Sequence, residues 1–243
     1  MIPKIIHYCW FGRNPLPKSA IRCIDSWRKY LPGYEIKEWN EDNFDVNIIP
    51  YTQEAYQAKK YAFVSDYARF WILYHYGGLY FDTDVEVIKP MDSIIEKGSF
   101  MGVEAGAAGA VAPGLGLGAT PRLDLYKELL DYYSTLHYCN GAGQWDGETV
   151  VGHTTKILCR NGLQMTGELQ EVSGIWIYPA DYFCPMDHTN GITTISPRTV
   201  SIHHYDASWR DHRSWRYILH LMKNTTFRLM GNKWANYINQ IMH

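Results

Sequence analysis

The feature that most constrains the fold is an alternation of short apolar segments with longer amphipathic ones in the first ninety residues. The segment KIIHYCWFG is typical of a buried strand ending at Gly12, and YEIKEWN alternates like a half-buried strand. Helices are predicted from Ser19, as the cap, to about residue 30, and from about Gln53 to Tyr76, with Gly77 in the usual stopping position. Strands alternating with helices predict an α/β, Rossmann-like domain whose mostly parallel sheet is covered on both faces.

Length and charge narrow the class of protein further. A chain of 243 residues fits one large domain, and 23 basic against 25 acidic residues argue against a composition-driven nucleic-acid binder. The five cysteines form no CxxC pair, which favours reduced thiols and a cytoplasmic protein. The N-terminus lacks a secretory apolar region, and no apolar run reaches the roughly 18 residues that span a bilayer. We therefore expect a cytoplasmic globular protein that does not bind nucleic acid.

Two aspartates follow the apolar segment GLYF, within GLYFDTDVEVI at residues 78–88. If this segment is one strand, Asp82 and Asp84 project to the same face and Thr83 to the other. Adjacent carboxylates repel each other unless a cation lies near them, and Mg²⁺ and Mn²⁺ take such oxygen ligands. The ends of parallel strands are also where α/β folds bind ligands. The pair is either a metal site or a solvated strand end.

Asp66 and Arg69 lie three residues apart in the strongly apolar segment FVSDYARFWILYHYGG. At that spacing they share one face of a helix, and charges in an apolar helix are normally paired or functional. They form either a structural ion pair or part of a site. His7, in the first strand, is interpreted as a core histidine.

A longer motif combines these residues: SD-x-x-R followed by GG-x-Y-x-D-x-D. It resembles glycosyltransferase family 32, a group with a DxD sugar-binding motif, and a similar arrangement occurs in the catalytic domain of large clostridial glucosylating toxins. The resemblance implies a GT-A fold over residues 1–211, a single Rossmann-like domain. The residues that carry the motif are Ser65, Asp66, Arg69, Gly77, Gly78, Tyr80, Asp82 and Asp84.

Two flanking segments extend the resemblance. IPKIIHYCWFG is similar to the family's first strand, which implies that Trp10 lies beside the nucleotide base. SIHHYDASW, at residues 201–209, is similar to a closing H-H-x-x-x-S-W segment, which implies a metal ligand at His203 or His204 and donor contacts at Ser208 and Trp209. Adjacent histidines in a strand face opposite sides, so only one is expected to reach the metal.

The resemblance also implies the reaction. A sugar passes from a nucleoside diphosphate sugar, with UDP favoured and GDP the alternative, to a hydroxyl of a glycan or lipid-linked glycan, with retention of configuration. Asp84 is implied as the direct ligand of Mn²⁺ or Mg²⁺, and Asp82 acts through water or the ribose. Asp66 and Arg69 orient the sugar hydroxyls and the diphosphate.

Two further positions are implied for the donor. Tyr80 either contacts the donor or only packs in the core. Gly152, in WDGETVVGHTTK, is placed against the sugar, although this segment departs from the family pattern. The glycine-rich segment 104–121 is either a mobile connector or a stretch where the backbone comes close to a ligand.

The setting and the C-terminal segment leave alternatives open. Bacterial capsular or surface polysaccharide synthesis is the default expectation, and a host-directed effector the minority one. Residues 212–243 contain five Lys and Arg and no acidic residue. This predicted helical tail either packs on the domain or lies on an anionic membrane, at the inner face of the cytoplasmic membrane.

Two other classes of protein share some of these features. In a haloacid dehalogenase-like phosphatase an apolar strand also ends in D-x-D, with the first Asp as nucleophile, but a helix follows the pair directly. Here VEVIKP continues extended. A non-enzymatic carbohydrate-binding protein would use the aromatic residues, 15% of the chain, without needing a buried Asp66 and Arg69 or a metal.

Overall fold

The computed structural model describes residues 1–106, 109–139, 147–186 and 193–205. The strands in these ranges are short, and each helix begins and ends close to a glycine, a proline or a polar turn. The helices are α1 (Lys18–Tyr30), α2 (Pro50–Gln57), α3 (Tyr61–Tyr76), α4 (Asp92–Lys97), α5 (Asp124–Ser134), α6 (Val150–Arg160) and α7 (Ala180–Phe183). The strands are β1 (Ile5–Cys9), β2 (Glu35–Trp39), β3 (Gly78–Tyr80), β4 (Val85–Val87), β5 (Phe100–Gly102), β6 (Leu117–Ala119), β7 (Gln170–Val172), β8 (Ile175–Tyr178) and β9 (Ser201–His203).

Seven of these strands form the central sheet, in the order β2-β1-β3-β6-β5-β8-β7. β1 is parallel to β2 and β3, and β5 is parallel to β8. β6 is antiparallel to β3 and β5, and β7 to β8. Five strands therefore point the same way, and their carboxyl ends share one edge of the sheet. The expected α/β class with a mostly parallel central sheet is confirmed.

The sheet is buried on both faces because side chains alternate along its strands. In β1, Ile6 and Tyr8 belong to one apolar cluster, together with Trp27 of α1. Cys9 belongs to the other cluster, together with side chains of α3, α5 and α6. Trp27 is fully buried, and its indole N–H donates to the Val85 carbonyl oxygen at 2.7 Å. This bond joins α1 to β4, the strand that follows the aspartates.

The helix predicted from Gln53 to Tyr76 is two helices. α2 ends at Gln57, and Lys59 adopts a left-handed backbone with φ of 57° before α3 begins. The physical reason is local, because the polar run QAKK interrupts the apolar periodicity that would continue one helix. The predicted stop at Gly77 is confirmed: its φ is 64°, and its N–H donates to the Leu73 carbonyl oxygen at 2.9 Å.

One smaller helix prediction was wrong. Ser19 is not a cap, because α1 begins at Lys18 and Pro17 lies in the cap position. The change moves no residue of the predicted site.

The strand predicted over residues 78–88 was also wrong. β3 ends at Tyr80 in the central sheet, whereas β4 pairs with β9 in a separate two-stranded antiparallel sheet. A turn joins them, in which the Val85 N–H donates to the Asp82 carbonyl oxygen at 3.0 Å. Asp82 and Asp84 therefore come together across a turn and not along one strand.

The C-terminal segment falls outside this description. Ser208, Trp209 and the predicted helical tail 212–243 lie beyond residue 205, the last one the structure describes. Among the helices that are described, none has the length and apolar character needed to cross a membrane.

Candidate active site

Asp82, Asp84 and His203 form one cluster at the carboxyl edge of the sheet. Each offers one ligand atom, and these atoms lie within 4.8 Å of one another. The pairing of β4 with β9 produces this arrangement, because Val85 is opposite His203 and the His204 N–H donates to the Asp84 carbonyl oxygen at 3.0 Å. All three residues are half-buried. Two carboxylates and an imidazole are a donor set that suits Mn²⁺ or Mg²⁺.

The two adjacent histidines face opposite sides, as expected. His203 Nε2 lies 3.2 Å from Asp84 Oδ1, whereas His204 Nε2 lies 2.9 Å from Glu86 Oε2 in an exposed pair. Burial lowers the pKa of His203, but the neighbouring Asp84 carboxylate raises it, and the net pKa lies above its ordinary value. Of the two candidates, His203 is therefore the one that faces the carboxylates.

Asp82 has polar neighbours on two sides. Its Oδ1 accepts a hydrogen bond from the Tyr80 hydroxyl at 3.0 Å, and Arg69 Nη2 lies 3.4 Å from the same oxygen. On the other side the backbone comes close, because a Cβ added at Gly114 would lie 2.4 Å from Asp82 Oδ2. Burial raises the pKa of Asp82, Arg69 lowers it, and the like charge of Asp84 raises it again, with a net rise.

Asp66 and Arg69 are a buried pair on α3, with Asp66 Oδ1 at 2.8 Å from Arg69 Nη2. Arg69 is only 3% exposed, and its Nε donates to the Ser65 carbonyl oxygen at 3.0 Å. Burial raises the pKa of Asp66 to about 7 against the opposing effect of Arg69. Because Arg69 also contacts Asp82, it bridges the two carboxylates. The pair is thus a buried ion pair beside the cluster, and its role toward a sugar donor stays a prediction.

Trp10 directly follows β1 and lies at the same edge of the sheet. Its indole N–H donates to the Asn14 carbonyl oxygen at 2.6 Å, which closes a turn. Glu41, in the connection after β2, stabilises this turn. Its Oε1 accepts hydrogen bonds from the Gly12 N–H at 2.6 Å and from the Tyr56 hydroxyl at 3.0 Å. Trp10 is half-buried. Its role beside a nucleotide base stays a prediction.

The glycine-rich segment 104–121 contains a single 3-10 turn, Pro113–Leu115, followed by β6. The Val111 N–H donates to Thr155 Oγ1 of α6 at 2.9 Å, which ties the segment to that helix. At Gly114 the backbone of this segment comes close to Asp82. A close approach of the segment to a ligand stays a prediction. Gly152 lies in the first turn of α6, where an added Cβ would meet the Glu148 side chain. Its contact with a donor sugar stays a prediction.

Three residues at the site were missed from the sequence: Glu104, Cys184 and Tyr205. The Tyr205 ring lies 4.1 Å from the His203 ring, centroid to centroid. Its hydroxyl donates to Glu104 Oε1 at 3.1 Å and lies 3.0 Å from Cys184 Sγ. One signal existed, because an aromatic residue two positions after a strand histidine shares its face. No local signal pointed to Glu104 or Cys184.

The segment that contains the aspartates matches a known protein family. Residues 17–101 match the family model described as "Glycosyltransferase sugar-binding region containing DXD motif". This region includes Asp66, Arg69, Asp82 and Asp84. The resemblance to glycosyltransferase family 32 is confirmed for this part of the chain, which is similar to a glycosyltransferase sugar-binding region.

Particular relatives come from yeasts and a virus. Inositol phosphoceramide mannosyltransferase 1 of Schizosaccharomyces pombe is 32% identical over 111 residues, which cover 41% of this chain and 33% of that protein. Uncharacterized glycosyltransferase L373 of Acanthamoeba polyphaga mimivirus is 33% identical over 106 residues, 41% of this chain and 42% of that protein. The matches thus span between a third and two fifths of these relatives.

Two solved structures of glycosyltransferases show a weak similarity to this chain. PaToxG glycosyltransferase has a TM-score of 0.49 at 20% identity and covers 65% of this chain and 69% of its own. A glycosyltransferase involved in glycosylation of the major capsid of PBCV-1 has a TM-score of 0.48 at 12% identity, over 84% of this chain and 94% of its own. Both scores fall below 0.5, and the fold described here rests on its own strand order.

Proposed function

We propose that this protein is a metal-dependent glycosyltransferase that moves a sugar from a nucleoside diphosphate sugar to a hydroxyl of a glycan or lipid-linked glycan. One observation carries the proposal. Asp82 and Asp84 of the sugar-binding region lie with His203 in one group of ligand atoms within 4.8 Å, at the edge of the sheet where α/β folds bind ligands.

The residues fit a divalent cation. Asp84 and His203 would hold it directly, and Asp82, whose oxygens already contact Tyr80 and Arg69, would act through water or the ribose. Mn²⁺ suits this set better than Mg²⁺ because imidazole is a ligand it accepts alongside carboxylates. When bound, the cation neutralises charge on the departing diphosphate.

The chain's own residues position the donor. Asp66 is buried and paired with Arg69, so its carboxylate is fixed in place to accept hydrogen bonds from sugar hydroxyls. Arg69 holds Asp66 and Asp82 in one relative position. Its direct contact with the diphosphate is part of the same proposal.

The transfer itself is proposed to retain configuration. The acceptor oxygen attacks the anomeric carbon on the side of the departing diphosphate, the bond from that carbon to the diphosphate oxygen breaks, and the acceptor proton passes to the diphosphate. A new bond joins the sugar to the acceptor oxygen. No protein nucleophile takes part in this scheme.

The sugar donor and the biological setting are proposed on separate grounds. UDP-sugars are the first donors proposed, and bacterial capsular or surface polysaccharide synthesis is the proposed setting. The yeast relatives are named as mannosyltransferases that act on inositol phosphoceramide, which supports mannose on GDP as the second donor and a lipid-linked acceptor. We also propose a cytoplasmic location, with the tail 212–243 in contact with the inner membrane surface.

A donor panel tests the proposal. Nucleotide release from UDP- and GDP-sugars should require Mn²⁺ or Mg²⁺, and Asp84→Asn should lower it by about 100-fold or more because a charge-stabilising ligand is lost. Glu86→Gln is the matched control, since Glu86 lies two residues away in an exposed pair with His204, and it should keep full activity.

Three outcomes would contradict the proposal. Turnover without metal would remove the role of the cluster. Phosphate release from simple monoesters would favour the phosphatase alternative. Saturable sugar binding without turnover of any donor would favour a carbohydrate-binding protein.

A further inference from the structure

We propose that Tyr205 is a positioning residue that holds the His203 imidazole toward Asp84 and thereby sets the affinity of the site for its cation. This inference rests on the metal role proposed above and deepens it. It assigns a function to the Tyr205 cluster, defined as Tyr205, Glu104 and Cys184.

His203 lacks the hydrogen bond that usually orients a metal-binding histidine. Such a histidine donates its second ring N–H to a carboxylate, a carbonyl or water, which fixes the ring. Here Nε2 faces Asp84 Oδ1 at 3.2 Å, while Nδ1 is buried and has no hydrogen-bond partner among the described residues. Another contact must therefore orient the ring.

Tyr205 provides that contact. Its ring packs edge-on against the His203 ring, with centroids 4.1 Å apart and planes at 75°. Rotation of the imidazole away from Asp84 would break this packing. The orientation that a hydrogen bond usually supplies thus comes from an aromatic neighbour.

Tyr205 is in turn fixed by two other parts of the chain. Its hydroxyl donates to Glu104 Oε1 at 3.1 Å, just after β5, and lies 3.0 Å from Cys184 Sγ, which follows α7. The Ala105 N–H lies 3.5 Å from the same sulfur. Three connections of the fold therefore meet at one hydroxyl group.

The backbone at Tyr205 supports a specific role. Its φ is 53°, in the left-handed region that side chains with a Cβ rarely adopt. A strained residue persists only where its surroundings hold it, and such residues concentrate at functional sites. The contacts of the hydroxyl and of the ring contribute to holding it here.

Manganese binding by the intact protein tests the inference without any donor. Electron paramagnetic resonance should show Mn²⁺ affinity about tenfold weaker in Tyr205→Leu, the usual cost of losing an orienting neighbour. In the same variant, the modulation of the Mn²⁺ resonance by the nitrogen of a bound imidazole should also become weaker. Tyr205→Phe keeps the ring but loses the hydroxyl, and we expect a smaller loss in the same direction.

Tyr8→Phe is the matched control. Tyr8 also donates to a carboxylate, Glu38 Oε2 at 2.6 Å, and its ring packs on Trp27 away from the cluster. This variant should bind Mn²⁺ like the wild type.

The outcomes separate this inference from the proposed function. Wild-type Mn²⁺ affinity and nitrogen modulation in Tyr205→Leu would overturn the inference alone; if that variant does not fold, the same result in Tyr205→Phe would do so. Weakened binding in a protein that turns over no sugar donor would support the role of Tyr205 and contradict the proposed reaction. Absence of Mn²⁺ binding in the wild type would overturn both.

Discussion

At the scale of single residues, His7 shows how the fold fixes a protonation state. The Trp39 indole N–H can only donate, so His7 Nδ1 accepts from it at 3.0 Å, and Nε2 carries the proton and donates to the Gly77 carbonyl oxygen at 3.0 Å. Burial lowers the pKa of His7 to about 4. The expectation of a core histidine from the sequence agrees with this environment.

This pKa predicts a loss of stability in acid. The unfolded chain binds a proton near pH 6.5 and the folded protein only near pH 4, so the free energy of unfolding should fall by about 3 kcal/mol between those values. Urea midpoints from pH 7 to 4 should fall less steeply in His7→Gln than in the wild type. Asp66 and Asp82 have raised pKa values and therefore make the folded protein more stable in acid, which opposes the effect of His7. Both proteins contain these aspartates, so the difference between the wild-type and His7→Gln profiles isolates His7. Parallel profiles would contradict the assignment.

At the scale of elements, the connections after β1 and β2 depend on each other through Glu41. Its Oε1 accepts from the Gly12 N–H and the Tyr56 hydroxyl. Gly12 has a φ of 94°, and an added Cβ would lie 2.3 Å from the Tyr61 ring, so this turn has one arrangement. Trp10 lies at the start of the same turn.

Glu41→Ala should therefore destabilise the protein and weaken nucleotide binding. Hydrogen bonds to a charged group are worth about 1.5–3 kcal/mol, so we expect unfolding free energy to fall by about 2 kcal/mol. Half-maximal quenching of tryptophan fluorescence should need a higher concentration of UDP or GDP in Glu41→Ala than in the wild type. Asp42→Ala is the control from the same connection: it removes only the exposed pair with Arg13 and should cost less than about 1 kcal/mol. If Glu41→Ala and Asp42→Ala changed the unfolding free energy and nucleotide binding equally, Glu41 would have no special role in the turn.

The elements also show why sequence prediction succeeded in some places and failed in others. Gly77 was predicted as a helix end because its signal is local. The DTD run was predicted as part of a strand because the segments GLYF and VEVI flank it, yet the partner of β4 is β9, about 120 residues later, and local patterns carry no trace of that pairing. The grouping of Glu104 and Cys184 around Tyr205 is hidden for the same reason.

At the scale of the whole molecule, charge is divided unevenly. The chain has a net charge of −2, and residues 212–243 contribute five positive charges and no negative ones, which leaves −7 for the rest. An acidic body with a basic, aromatic segment should adopt one orientation on an anionic bilayer. The described residues lie in the acidic part, so the prediction for the tail rests on sequence alone.

Liposome co-sedimentation of the intact chain tests this orientation. Binding to vesicles with anionic lipid should fall by about 1,000-fold or more when Arg213, Arg216, Lys223, Arg228 and Lys233 are all replaced by Gln, since each basic residue near the surface contributes about 1 kcal/mol and the five together about 5 kcal/mol. Vesicles of neutral lipid are the control. Equal binding of both proteins to anionic vesicles would remove the membrane proposal.

The pairing of β4 with β9 has a consequence for the making of the protein. A ribosome completes Asp82 and Asp84 long before it reaches His203, so a nascent chain carries the two carboxylates without the imidazole beside them. A product of a premature stop between residues 102 and 200 would contain the whole matched region, residues 17–101, but not the complete cluster. If the proposed function holds, such products should be inert toward the sugar donor.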